Sequence, residues 1–173
     1  MKSEIKMRTL TGIDKMRKKN TLKPNRKLYR YGTYERSGSD YWMTPPDLLR
    51  KLNLRYGGLF DPCPRNPSFN GLEIDWPLDK ICFVNPPYSN LADWTKKCQV
   101  EWRRGAKIIL LMPARTDTKY FHNYVNGCCQ IEFIKGRLKF VNPISGEAGK
   151  SAPFPSILCY YWHPEFLEVG VDA

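Results

Sequence analysis

Ile81-Cys82-Phe83-Val84-Asn85-Pro86-Pro87-Tyr88 is the stretch on which the fold turns. Four consecutive apolar residues read as a buried strand. It stops at Asn85, because two prolines in a row cannot continue the interior of a sheet. Behind it, from about Asn90 to Arg104, Leu91, Trp94, Cys98 and Trp102 recur at helical spacing, with Gly105 as the stop. Lys107–Met112 is the next strand, ended by Pro113. Ahead of it, Pro45-Pro46-Asp47 opens a short helix over Leu48–Leu52 that Gly57-Gly58 closes, and Leu59-Phe60 with Asp61 reads as a strand end. Cys63 to Leu72 is turn chemistry throughout.

Past Pro113, Thr118–Asn126 reads as a short helix. Cys129–Ile134 and Leu138–Val141 read as strands around a Lys135-Gly136-Arg137 turn, and Ile157–Trp162 as a last strand. Strand, helix, strand, helix is the pattern of an α/β sheet, parallel in its first part with antiparallel pairing at one edge. Ligands in such sheets bind at the carboxyl ends of strands. Asp61, Asn85 and Pro113-Ala114-Arg115 stand at three of those ends.

The chain has 173 residues and a formal net charge of +11. That length suits one compact domain with an appendage, and 42% hydrophobic residues suffice for a core. Residues 1–39 carry twelve Lys and Arg against three Asp and Glu, whereas residues 40–173 are close to balanced. A boundary near Ser37-Gly38-Ser39 therefore separates a basic, flexible N-terminal segment (1–39) from a folded domain (40–173). The leader is either a solvated aid to solubility or a non-specific contact for phosphates. No apolar run reaches membrane-spanning length and no secretory signal is visible, so an intracellular, cytoplasmic location without membrane partners is expected. Cys63, Cys82, Cys98, Cys128, Cys129 and Cys159 form no CxxC pair, and His122 and His163 fall in no ligand spacing. Neither a metal nor disulfides are expected.

Asn85-Pro86-Pro87-Tyr88 also carries chemistry. Pro86 holds Asn85 extended, and the two rings stiffen the backbone. The Asn85 side-chain oxygen and the Pro86 carbonyl then form two fixed acceptors beside the planar face of Tyr88. Two acceptors and a stacking ring suit an exocyclic amine on a planar base. Such an amine is a poor nucleophile until both N–H bonds are accepted and its nitrogen moves toward tetrahedral geometry. Positioning and preorganised electrostatics suffice, without a strong base.

The tetrapeptide resembles the catalytic motif of S-adenosylmethionine-dependent amino-methyltransferases. The wider chain, from about Tyr41 to Trp162, resembles the phage-type DNA N6-adenine methyltransferase (Dam-like) family. The matching segments are Trp42–Pro46, Phe60–Cys63, Asp75-Trp76, Val84–Ser89, Leu111–Asp117, Gly136–Phe140 and Pro153–Ser156, in that order. The resemblance implies a Rossmann-like methyltransferase sheet, mostly parallel with antiparallel edge strands and helices on both faces. It implies that Asn85, Pro86, Pro87 and Tyr88 bind and activate the target adenine. S-adenosylmethionine would lie against Thr44, Pro45, Asp61, Pro62 and Cys63, with Asp75 and Trp76 at its adenosine. Arg115, Asp117, Lys119, Arg137 and Lys139 would face DNA, double- or single-stranded. The glycine-rich loop that many methyltransferases carry after the first strand is replaced here by Asp61-Pro62-Cys63-Pro64-Arg65.

Cytosine N4, an amine on an RNA base and a protein glutamine remain as alternative targets, as does a nucleic-acid-binding relative without turnover. The basic leader weighs against glutamine, and the intact tetrapeptide weighs against lost turnover. Residues 40–173 leave no separate target-recognition domain, so short or relaxed sequence specificity is expected.

Overall fold

Residues 42–64 and 68–162 are described in the structure, a computed structural model; the basic segment 1–39 and the boundary at Ser37–Ser39 lie outside them. The chain enters helix α1 (Pro46–Tyr56), with proline in its first turn, where a missing N–H costs nothing. Gly57, at φ +80°, ends it and donates its N–H to the Asn53 carbonyl. Strand β1 (Leu59–Phe60), strand β2 (Ile81–Val84), helix α2 (Leu91–Arg103) and strand β3 (Lys107–Pro113) follow. Then come helix α3 (Lys119–Tyr124), strand β4 (Gln130–Phe133) and strand β5 (Ser156–Tyr160). Between β2 and α2 the chain makes one 3₁₀ turn, Tyr88–Asn90.

The five strands lie in the order β1-β2-β3-β5-β4. The first three are parallel, and β5 runs antiparallel to both of its neighbours. Four strands therefore point one way, and the reversed strand lies second from the edge. Side chains alternate between the faces as a pleat requires. Cys82, Val84, Ile108, Leu110, Met112, Ile157, Cys159 and Tyr161 pack beneath α2 and α3. Phe83, Ile109, Leu111, Leu158 and Tyr160 face α1, which contributes Leu52. The protein is thus a mixed α/β fold with helices on both faces. Leu110 in β3 is fully buried, and truncating it to alanine is expected to cost about 3 kcal/mol.

The expected hairpin between 129–134 and 138–141 does not form. β5 occupies the inner edge of β4, and the Ile134 N–H is already donated to the Ser156 carbonyl. The 138–141 segment instead lays Leu138 and Phe140 over the α1 face of the sheet. Its Val141 makes only isolated bridges to Met43 and Ala148. Alternating apolar residues here cover a sheet rather than extend it. The antiparallel element is therefore β5 alone, inside the edge.

Candidate active site

Because β1, β2, β3 and β4 share a direction, the residues that follow them leave from one rim. Asp61, Asn85, the 114–118 turn and the 134–140 turn all lie there, and the reversed β5 brings Pro153-Phe154-Pro155 to the same rim from the other side. The Ala114 N–H, donated to the Pro155 carbonyl at 2.9 Å, stitches two of these loops together.

A line of hydrogen bonds crosses the rim. The Cys63 N–H donates to Asp61 Oδ1 at 2.8 Å, closing a tight turn after β1. The Cys63 thiol donates to the Asn85 backbone carbonyl at 3.3 Å. Asn85 Nδ2 in turn donates to the Trp42 carbonyl at 3.0 Å. A carbonyl only accepts, so that contact fixes the carboxamide with its oxygen turned away from Trp42. Among the described residues no hydrogen bond engages Asn85 Oδ1 or the Pro86 carbonyl. Two acceptors at the end of a buried strand are thus unengaged among the described residues.

Asp61 is exposed at the rim, yet the protein on its inner side raises its pKa by desolvation, against the opposing pull of the Cys63 N–H and thiol. Burial, and then the neighbouring Asp61 carboxylate, push the Cys63 thiol well up. Cys63 is therefore a hydrogen-bonding thiol rather than a nucleophile. Pro62 is buried, and its carbonyl would stand 1.8 Å from a Cβ at Gly71, an approach that only glycine permits. Thr44 and Pro45 are half-buried on the segment that follows Trp42, and the Pro45 carbonyl accepts the first bond of α1, from Leu49.

Tyr88 lines a cavity of about 430 Å³ together with Trp42, Phe140, Phe154 and the 150–153 loop. Phe140 and Phe154 meet the Tyr88 ring edge-on, with centroids at 6.0 and 5.5 Å. Burial raises the pKa of the phenol, whose oxygen finds no partner among the described residues. The cavity is an aromatic box linked to Asn85 through Trp42, which lines it and whose carbonyl accepts from the Asn85 carboxamide.

A second cavity, of about 500 Å³, lies beside β1, the outermost strand on that side among the described residues, lined by Phe60, Phe69, Ile74, Asp75, Trp76, Pro77, Asp79 and Lys80. Phe60 and Phe69 stack at 6.1 Å. Trp76 backs this cavity from the core: it is only 2% exposed, packs against Trp94, and donates its indole N–H to the Gly71 carbonyl at 2.8 Å. Asp75 is exposed and ion-paired to Arg104 at 3.1 Å.

The wall of this second cavity is propped by Glu101, a buried carboxylate of α2. It accepts the Trp76 N–H at 3.2 Å and Lys97 Nζ at 2.5 Å, and it pairs with Arg104. Lys97 Nζ also donates to the Ile74 carbonyl at 2.8 Å. Burial opposes ionisation of Glu101 most strongly. The bonds from Lys97 and Trp76, with the charges of Lys97 and Arg104, outweigh it and hold the pKa below the usual range.

The structure thus brings Asp61, Pro62, Cys63, Asn85, Pro86 and Tyr88 to one rim, with Asp75 and Trp76 in a separate cavity. Arg115, Asp117, Lys119, Arg137 and Lys139 are exposed on the two turns of that rim or, for Lys119, at the start of α3. No ion pair among the described residues engages them. No cluster of His, Cys, Asp or Glu among the described residues is placed to hold a metal ion.

Sequence reasoning gave no role to the Trp42 carbonyl, Phe140, Phe154 or Glu101. The aromatic between prolines in Pro153-Phe154-Pro155 was a usable signal. A glutamate four residues after a lysine reads as a solvated helix pair, so Glu101 gave none.

The family model described as DNA N-6-adenine-methyltransferase (Dam) matches residues 32–166. A curated relative, the DNA N-6-adenine-methyltransferase of Escherichia phage T1, is 28% identical over 139 residues, covering 65% of this chain and 57% of the relative. The chain therefore spans less than two thirds of that relative's length. No solved structure matches it. With the match taking in all but the two ends, from the last residues of the basic segment through β5, the chain belongs to the DNA N-6-adenine-methyltransferase (Dam) family.

Proposed function

We propose that the protein transfers a methyl group from S-adenosylmethionine to the N6 amine of adenine in DNA, with the base held in the aromatic cavity beside Tyr88. The observation that carries this reading is the acceptor pair, Asn85 Oδ1 and the Pro86 carbonyl, unengaged among the described residues and on the same turn as Tyr88, which lines a box of aromatic rings. The cavity volume falls within the roughly 300–1,000 Å³ of small-molecule sites. A stacked base in duplex DNA is out of reach, so adenine is rotated out or taken from a single strand. Tyr88 and the edges of Phe140 and Phe154 hold its ring.

Asn85 and Pro86 accept the two amine hydrogens and draw the nitrogen lone pair out of conjugation. They also stabilise the positive charge that the nitrogen gains as its new bond to carbon forms and the carbon–sulfur bond breaks. The proton then leaves an already cationic nitrogen, which requires no strong base. S-adenosylmethionine supplies the electrophilic methyl on its sulfonium.

The residues present fit that donor. The second cavity offers the stacked Phe60–Phe69 pair for a purine and the carboxylates of Asp75 and Asp79 as acceptors for ribose hydroxyls. Trp76 forms its rear wall. Asp61, exposed on the rim and without a cationic partner among the described residues, suits an ammonium such as that of the methionine end, and Thr44, Pro45, Pro62 and Cys63 would complete that end of the site. The strand order with one reversed strand inside the edge supports a Rossmann-like methyltransferase sheet. Arg115, Lys119, Arg137 and Lys139 contact DNA phosphates from the rim, Asp117 borders them, and the leader adds non-specific attraction.

The test is digestion of unmethylated DNA after incubation with the chain and methyl-labelled S-adenosylmethionine. Label in N6-methyladenine supports the reading. Label in N4-methylcytosine, or only in RNA or protein, replaces it.

A further inference from the structure

We propose that Trp42 is a positioning residue for Asn85: its backbone carbonyl decides which end of the Asn85 carboxamide faces the substrate, and Gly149 is the seat that keeps it there. The inference rests on the reading of Asn85 as an acceptor for the target amine.

A carboxamide has a donor end and an acceptor end of nearly the same shape. Rotated by half a turn, Asn85 would present N–H groups to an amine that itself brings N–H groups, and the acceptor pair would be lost. The bond from Asn85 Nδ2 to the Trp42 carbonyl, at 3.0 Å, excludes that rotamer. The carbonyl is useful only if its own position is fixed, and three contacts fix it. The adjacent Met43 exchanges both backbone hydrogen bonds with Val141, each at 3.0 Å. The Trp42 indole lies against Gly149, where an added Cβ would meet Cζ3 at 2.7 Å and both Cη2 and the Phe140 carbonyl oxygen at 3.1 Å. The Gly149 N–H is donated to the Phe140 carbonyl at 2.7 Å.

Gly149 does not have the positive φ that would demand glycine for torsional reasons, so it is there for space. Trp42 and Phe140 also line the aromatic cavity with Tyr88. The wall of the base pocket and the clamp on the reacting side chain are consequently one unit. A base seated against Trp42 presses on the residue that orients its acceptor.

The experiment compares wild type, Gly149→Ala, Trp42→Phe and the double variant, all in the full chain. Trp42→Phe keeps the carbonyl and removes the ring atoms that a Cβ at 149 would strike most closely, leaving the Phe140 carbonyl oxygen at 3.1 Å as the remaining tight neighbour. Steady-state methylation gives kcat and KM for DNA, and the side-chain amide resonance of Asn85, assigned by its absence from Asn85→Ala, reports the clamp directly. Thermal melting confirms that each variant is folded.

Gly149→Ala should lower kcat by at least about tenfold, because a misplaced reacting group costs rate steeply, with KM changed little. Its Asn85 resonance should move, and the double variant should recover both the kcat and the resonance of Trp42→Phe. Unchanged kcat in Gly149→Ala, or a loss that the double variant does not repair, overturns the proposal. If wild type methylates nothing, the functional reading falls instead. The Asn85 resonance then still decides the clamp, and an unmoved signal in Gly149→Ala refutes it.

Discussion

The two cavities are built in opposite ways. The one beside Tyr88 is walled by aromatic rings whose positions depend on close backbone approaches: Trp42 over Gly149, and Phe140 tied to Gly149 and to the sheet face. The one at the edge of β1 is backed by Trp76 and propped by the buried charge of Glu101 among Lys97, Arg104 and the Trp76 N–H. Packing holds the first, and a paired carboxylate holds the second. Steric substitutions should therefore disturb the first, and acid the second.

Glu101→Leu is the sharpest way to break the contrast. It leaves Lys97 and the Trp76 N–H without their buried partner, and about 3 kcal/mol of stability should go with it, read by denaturant unfolding. The same carboxylate fixes the sign of the acid response. Its pKa is depressed in the fold, so its contribution is present above the ordinary glutamate value and fades as pH falls through the depressed one. Acid titration of wild type should show that loss and Glu101→Leu should lack it. Equal acid sensitivity would mean that the network does not prop the cavity.

Phe154→Ala acts on the other cavity. Removing one aromatic wall should raise the KM for DNA about tenfold, in the range of a lost base–aromatic contact of roughly 1–3 kcal/mol. Donor affinity, measured by calorimetry, should not move. A matching loss of donor affinity would show that the cavities are not separate sites.

Asp61 sharpens the comparison from the rim between them. Its pKa is raised, so between the ordinary value and the raised one the folded chain holds a proton that the unfolded chain has shed. Stability conferred through Asp61 therefore falls as pH rises across that window, and Asp61→Asn should remove the slope while weakening S-adenosylmethionine binding several-fold. A variant that binds the donor as wild type does would dismiss the ammonium role.

The smallest effects belong to the exposed cations. Arg115→Ala and Arg137→Ala should each weaken DNA binding a few-fold and make its salt dependence shallower by about one phosphate contact. No change in salt slope would place them off the DNA path.

The contrast also explains what was legible in the sequence. Ile81–Val84 and Lys107–Met112 announced themselves because buried parallel strands are nearly continuous apolar runs. The rim residues Asp61, Asn85 and Arg115 were legible because prolines and polar groups mark where such strands stop. Leu138–Val141 misled because alternation looks the same whether a segment joins a sheet or covers one. Glu101 was hidden because local sequence cannot report that a surface-like glutamate faces a buried backbone N–H. Gly71 and Gly149 are needed by neighbours distant in the chain, Pro62 and Trp42 respectively for the tightest contacts, so no local pattern marks them.

The central claim is that Asn85 supplies an acceptor for the chemical step rather than for binding. Single-turnover methylation by wild type and Asn85→Ala, with DNA and S-adenosylmethionine affinities measured on the same samples, tests it most directly. The account predicts a chemical rate lower by roughly 10²–10³, as for loss of one preorganised polar group, with both affinities within a few-fold of wild type. Methylation at the wild-type rate, or a loss explained wholly by weaker binding, would contradict it.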